Sequence, residues 1–140
     1  MKIRKATYDE ILASLPDGPP EAGGIFGGKD GIVNAFMFDE GLRGGNPGSY
    51  CPDTKHLNDC LRNWRQNGIA FYGIVHSHFQ AYPALSGGDK LYIQAIMKSM
   101  PARISCLYFP IVLPRQKMVS FKAVRSDDAI NIVGDDVKIL

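Results

Sequence analysis

The side chains best suited to chemistry gather in one stretch: His76-Ser77-His78, seven further residues, then Ser86-Gly87-Gly88-Asp89. The histidines close an apolar run, Ile69 to Val75, whose β-branched and aromatic content predicts a central strand covered on both faces. Alternate side chains of a strand share a face, so His76 and His78 project to one side with Cα atoms about 7 Å apart. Two imidazoles placed in this way can converge on one ion. Catalytic zinc sites commonly take three protein ligands and leave the fourth position to water. Asp89 is the natural third ligand, because the loop from Phe79 to Leu85, with its Tyr82-Pro83, is long enough to bring a helix N-terminus over the strand end. Zinc acidifies water and polarises a carbonyl, but a hydrolase also needs a group that moves protons and one that holds the developing oxyanion. The hydroxyl of Ser86 suits the second task. Glu21, at the mouth of an early strand, suits the first.

Each of these residues also has a simpler reading. A His-x-His pair on a strand is often accidental, and a glutamate following Pro19-Pro20 is by default an exposed loop residue. Ser86-x-x-Asp89 has nearly the form of a capping box, in which the serine caps a helix and the aspartate favours its dipole. The cap accounts for Ser86 and Asp89 without a metal. It does not account for two histidines just upstream or for Glu21.

The elements that must position these groups follow from periodicity. Tyr8, Ile11, Leu12 and Leu15 predict a first helix over Thr7 to Leu15, with Thr7 and Glu10 as a capping box. Ala22 to Phe26 and Ile32 to Phe38 predict a hairpin around Gly27-Gly28-Lys29-Asp30-Gly31. Leu57, Cys60, Leu61 and Trp64 repeat at helical spacing from about Asp53 to Asn67, with Gly68 as the stop and Trp64 packed on the sheet. His56, on the same segment, reads as a solvated surface residue. A third helix spans Asp89 to Met100 and ends at Pro101. Ile104 to Phe109 and Met118 to Val124 read as strands around a Pro114-Arg115-Gln116 turn, with Ile130 to Val133 and Val137 to Leu140 as weaker strands. The Gly-rich stretch from Gly41 to Gly48 lacks the Gly-Lys-Ser/Thr ending of a phosphate-binding loop and reads as a flexible loop. Strands interrupted by three helices favour an α+β sandwich, with a mixed sheet between helices.

The combination of Glu21, His76-x-His78, the seven-residue gap and Ser86-x-x-Asp89 resembles the signature of the JAMM (MPN-domain) zinc metalloproteases. Glu21-Ala22-Gly23-Gly24-Ile25-Phe26-Gly27-Gly28 is similar to the family's Glu-strand-Gly segment, and Tyr72-Gly73-Ile74-Val75 to its strand leading into the histidines. The resemblance covers nearly the whole chain. One departure is Phe79, where the family usually has Pro directly after the second histidine. The resemblance implies that His76, His78 and Asp89 bind Zn2+, that Glu21 is the general acid/base and that Ser86 stabilises the tetrahedral intermediate. It implies a curved mixed β-sheet flanked by helices, an MPN/cytidine-deaminase-like three-layer sandwich. The implied activity is that of a small stand-alone, prokaryotic-like isopeptidase or peptidase, cleaving at the C-terminus of a ubiquitin-like protein. A chain of 140 residues leaves little room for the two insertions with which larger members grip ubiquitin, so small β-grasp sulfur-carrier proteins are the expected substrates.

Length and composition bound these readings. With 140 residues, 45% apolar and 21% charged, the chain reads as one globular domain over 1–140. Sixteen Lys and Arg against fourteen Asp and Glu give a net charge of +2 with no long like-charge run, so no nucleic-acid partner is expected. The basic start Met1-Lys2-Ile3-Arg4-Lys5 is not followed by a signal-peptide core, and no run reaches membrane-spanning length, so a cytoplasmic location without a membrane partner is expected. Cys51, Cys60 and Cys106 lack paired spacing and read as reduced thiols, buried or neutral. Two other functions remain in view: a non-catalytic MPN-type scaffold module, and a zinc amidase acting on small peptide-like substrates. A nucleoside deaminase is disfavoured, because its His-x-Glu and Pro-Cys-x-x-Cys elements are missing.

Overall fold

The computed structural model describes residues 1–42, 50–79 and 82–140. In chain order the elements are β1 (Lys2–Ile3), α1 (Lys5–Ser14), β2 (Gly23–Lys29), β3 (Ile32–Asp39), α2 (Thr54–Gln66), β4 (Ala70–Ser77), α3 (Gly87–Ser99), β5 (Cys106–Tyr108), β6 (Ile111–Leu113), β7 (Lys117–Ser126), β8 (Ala129–Asp135) and β9 (Lys138–Ile139). The strands form one mixed sheet in the order β5-β7-β6-β4-β2-β3-β1-β9, with β8 on β7 and a further pairing of β5 with β4. The chain is therefore α+β, as expected, with its helices packed on the two faces of the sheet.

The layers follow from the alternation of side chains along β4. Ile74 joins the core formed with Leu57 and Trp64 of α2 and Ile93 and Met97 of α3. Val75 joins the opposite core, with Ile11 of α1, Phe26 and Val33. The expected central strand covered on both faces is present, and it continues past Val75 because His76 and Ser77 pair in parallel with Ile111 and Val112 of β6. Close approach at its middle requires Gly73, where a Cβ would lie 1.8 Å from the Tyr108 carbonyl oxygen.

Several boundaries differ from the sequence reading for physical reasons. α1 begins at Lys5, its N-cap Arg4 makes no side-chain cap bond, and Thr7 is buried within the helix, so the expected Thr7–Glu10 capping box does not form. The short strand β1 sets the start instead. Arg4 N–H donates to the Val33 carbonyl at 2.9 Å and Lys5 N–H to the Leu140 carbonyl at 3.1 Å, which satisfies donors that a side-chain cap would otherwise serve. The β2–β3 hairpin turns at Asp30-Gly31 alone, both at positive φ as a two-residue turn requires, so Gly27 to Lys29 belong to the strand. Beyond the expected strand ending at Phe109, the chain resumes as β6, which was not expected. β5 and β6 both lie between β4 and β7, interrupted at Phe109-Pro110, where proline offers no N–H to a ladder. α2 matches its expected bounds, with Asp53 accepting from His56 N–H and Gly68 at positive φ beyond its end. Trp64 is buried and His56 exposed, as expected. Cys60 and Cys106 are half-buried with thiols pushed up by burial, whereas Cys51 is exposed. Of the Gly-rich loop, Arg43 to Ser49 lie outside the described residues. Among those described, no helix is long and apolar enough to cross a membrane.

Candidate metal centre

The C-terminal end of β4 brings the expected groups together. His76 and His78 are buried and share one face of the strand, with their Nε2 atoms 2.9 Å apart. The third helix, which starts at Gly87 with Ser86 as its N-cap, presents Asp89 from its first turn. Asp89 Oδ2 lies 3.0 Å from His78 Nε2, and Oδ1 lies 3.2 Å from His76 Nε2. Between β4 and β2, Ser77 N–H donates to the Ala22 carbonyl at 2.8 Å and Ala22 N–H to Ser77 Oγ at 3.1 Å. These bonds fix the residue before Ala22, namely Glu21, at the mouth of the site. A carboxylate oxygen of Glu21 and ring nitrogens of His76 and His78 all lie within 4.8 Å of one another.

The hydrogen bonds behind the imidazoles decide which nitrogen is available. His78 Nδ1 lies 3.1 Å from the Tyr82 carbonyl oxygen, which only accepts, so the proton sits on Nδ1 and the Nε2 lone pair faces the cluster. His76 Nδ1 lies 3.3 Å from the Tyr92 hydroxyl, a partner able to accept the same N–H. Tyr92 is held as a neutral phenol first by burial and then by the charges of Asp89 and Glu21. Two converging Nε2 lone pairs beside a carboxylate are a poor set of mutual hydrogen bonds and a good set of cation ligands. A tetrahedral zinc with bonds of about 2.0–2.1 Å spaces its ligands by about 3.3 Å, close to the separations among His76 Nε2, His78 Nε2 and the Asp89 oxygens. The cluster of Glu21, His76 and His78 is thus able to chelate a divalent metal such as Zn2+. Asp89 lies closer to both imidazoles than that spacing.

Charge follows from burial and pairing. Burial alone would raise the Asp89 carboxyl, but hydrogen bonds from the protonated forms of His76 and His78, the charge of His76 and the Ser86 N–H hold it well below the usual carboxylate range. Burial lowers His76, only partly opposed by Asp89. In His78 burial also opposes the charge, yet Asp89, the Tyr82 carbonyl and Glu21 together raise it above its ordinary value. Glu21 is raised by burial and by Asp89, against the opposing influence of His78 and the Tyr50 N–H.

The capping box and the cluster coexist. Asp89 N–H donates to Ser86 Oγ at 3.1 Å and Ser86 N–H to Asp89 Oδ2 at 2.8 Å, so the local cap is formed in full and the same carboxylate faces the histidines. Ser86 Oγ accepts here, which leaves its own hydrogen free for a further acceptor. Beside His78 a cleft of about 360 Å3 is lined by Phe79, Leu113, Asp17 and Arg115, the last two ion-paired at 2.9 Å.

Sequence reasoning missed the supports. Tyr50 stacks on the His76 ring with centroids 6.1 Å apart, and its N–H donates to Glu21 Oε2 at 3.2 Å. Its hydroxyl donates to buried Asp39 at 2.6 Å, which also accepts from the Asp53 and Gly41 N–H groups. Tyr92 had a usable signal, since it follows Asp89 by three residues on one helix face. Tyr50 and Asp39 had none, because tertiary folding alone brings Tyr50 onto β4 and Asp39 onto Tyr50.

No known family model matches the chain, and no curated protein does. Among solved structures the chain is similar to a protein of Desulfitobacterium hafniense determined in solution, at 24% identity over 99% of this chain and 92% of that one, with a TM-score of 0.69. It is also similar to a protein of Salinibacter ruber determined in solution, at 17% identity over 100% of this chain and 92% of the other, with a TM-score of 0.56. These likenesses show the fold along the length of the chain.

Proposed function

We propose that the chain is a JAMM-type zinc hydrolase of MPN fold, cleaving a peptide or isopeptide bond at the C-terminus of a ubiquitin-like or sulfur-carrier β-grasp protein in the cytoplasm. The observation that carries this reading is the convergence of His76 Nε2, His78 Nε2 and the Asp89 carboxylate within 3.2 Å, with Glu21 alongside. His76, His78 and Asp89 hold the zinc, which supplies Lewis acidity toward water and the scissile carbonyl. Glu21 takes a proton from the attacking water and passes it to the leaving nitrogen. Its burial-raised carboxyl suits that two-way role, since an acid/base works best with its pKa nearer the working pH. The hydroxyl of Ser86 donates to the oxyanion while the helix cap holds its oxygen in place. Tyr50 keeps Glu21 directed at the site through its backbone N–H.

The test uses a β-grasp protein fused through its C-terminal tail to a reporter. Wild-type protein loaded with zinc is expected to cleave the fusion, and Glu21→Gln to retain zinc through His76, His78 and Asp89 while turnover falls by roughly 10²-fold or more. Undiminished cleavage by Glu21→Gln overturns the proton-transfer role. Short unstructured peptides cleaved as fast as the fusion would replace the protein substrate with a small peptide-like one.

A further inference from the structure

At the opposite end of β4 from the histidines lies a groove of about 740 Å3, inside the range typical of ligand pockets. Its apolar lining is Leu61 of α2, Ile69 and Phe71 at the start of β4, and Met100 and Ile104 beyond α3. Three arginines, Arg62, Arg65 and Arg103, stand around it, all exposed. Arg62 is paired with Asp59, while neither Arg65 nor Arg103 has a carboxylate partner among the described residues. No lysine, aspartate or glutamate lines the groove. The wall is tied in place by Arg125 of β7, which donates to the carbonyls of Ile104 at 3.3 Å and Met97 at 2.5 Å. A wall fixed in this way needs little further ordering when it is occupied.

We propose that this groove docks an acidic peptide segment of a partner protein, with its carboxylates on Arg65 and Arg103 and its apolar side chains on the floor between them. Arginine forks match carboxylates in geometry as well as charge. A lining of three arginines around apolar side chains, without Lys, Asp or Glu, has the charge depletion and Arg enrichment of a protein–protein interface. A single-stranded nucleic acid is the weaker fit, since such sites rely on successive aromatic platforms and Phe71 is the one aromatic of the lining. The proposal does not depend on the metal centre.

The probe is a short fluorescein-labelled peptide of alternating glutamate and leucine, titrated into the full-length protein at low salt and followed by anisotropy. Saturable binding is expected, weakening as salt is added and roughly tenfold weaker in Arg65→Glu and in Arg103→Glu. Both positions are exposed, so thermal melts of the variants should overlay the wild type, and Asp89→Ala should bind the peptide unchanged. The proposal is overturned if no saturable binding is seen, if charge reversal has no effect, if a lysine–leucine peptide binds equally, or if an oligothymidine of the same length binds more tightly.

Discussion

His78 shows how one side chain can be committed to two partners at once. Its Nδ1–H is taken by the Tyr82 carbonyl, so in the neutral ring its Nε2 has only a lone pair to offer, and that atom points at His76 and Asp89. Without a cation, the carboxylate draws a proton onto this ring and raises its pKa. Zinc must displace that proton, so the sign of the pH dependence is fixed: apparent affinity falls as pH falls through the imidazole range. The expected slope between about pH 8 and about pH 6 approaches tenfold per unit for each proton displaced, with proton release visible by calorimetry in buffers of different ionisation heat. An affinity flat across that window would contradict ligation through the imidazoles. Much at this scale was legible in the sequence, because the alternation of a strand is local information and places both rings on one side. Tyr50 and Asp39 were illegible, since the approach of Tyr50 to His76 and Glu21, and of Asp39 to Tyr50, depends on how distant segments pack.

The first turn of α3 is where structure and chemistry share the same two residues. Ser86 and Asp89 close a reciprocal cap, and that cap directs the Asp89 carboxylate toward the end of β4. The two tasks of the serine can be separated by substitution. Ser86→Ala removes the cap oxygen and should cost about 1 kcal/mol, whereas Ser86→Gly should cost only a few tenths, because glycine is itself a tolerated N-cap. Both lack the hydroxyl, so both should lose turnover to a similar degree if that hydroxyl serves the oxyanion. Urea denaturation beside fusion cleavage makes the comparison. Turnover that tracks stability across the two variants would assign Ser86 to the cap alone. At this scale the helices were legible where side chains announced their ends, as at Asp53, Ser86 and Pro101. They were less so at α1, whose start is dictated by the backbone pairing of β1, and at β6, whose three residues read as loop until β4 and β7 flank them.

Across the whole molecule, β4 is the axis on which the other parts are arranged. Its middle is buried between two cores, one under α2 and α3 and the other under α1. One end carries the histidines and the other opens on the arginine-lined groove. The sandwich was foreseeable from the alternation of strand and helix patterns, but the order of strands was not, because register across a mixed sheet is set by contacts far apart in sequence. The metal site at the end of β4 is tested most directly by zinc titration of metal-stripped protein by calorimetry. One tight site per chain is expected, lost in Asp89→Ala while that variant remains folded. Folded wild-type protein that takes up no zinc would contradict the account.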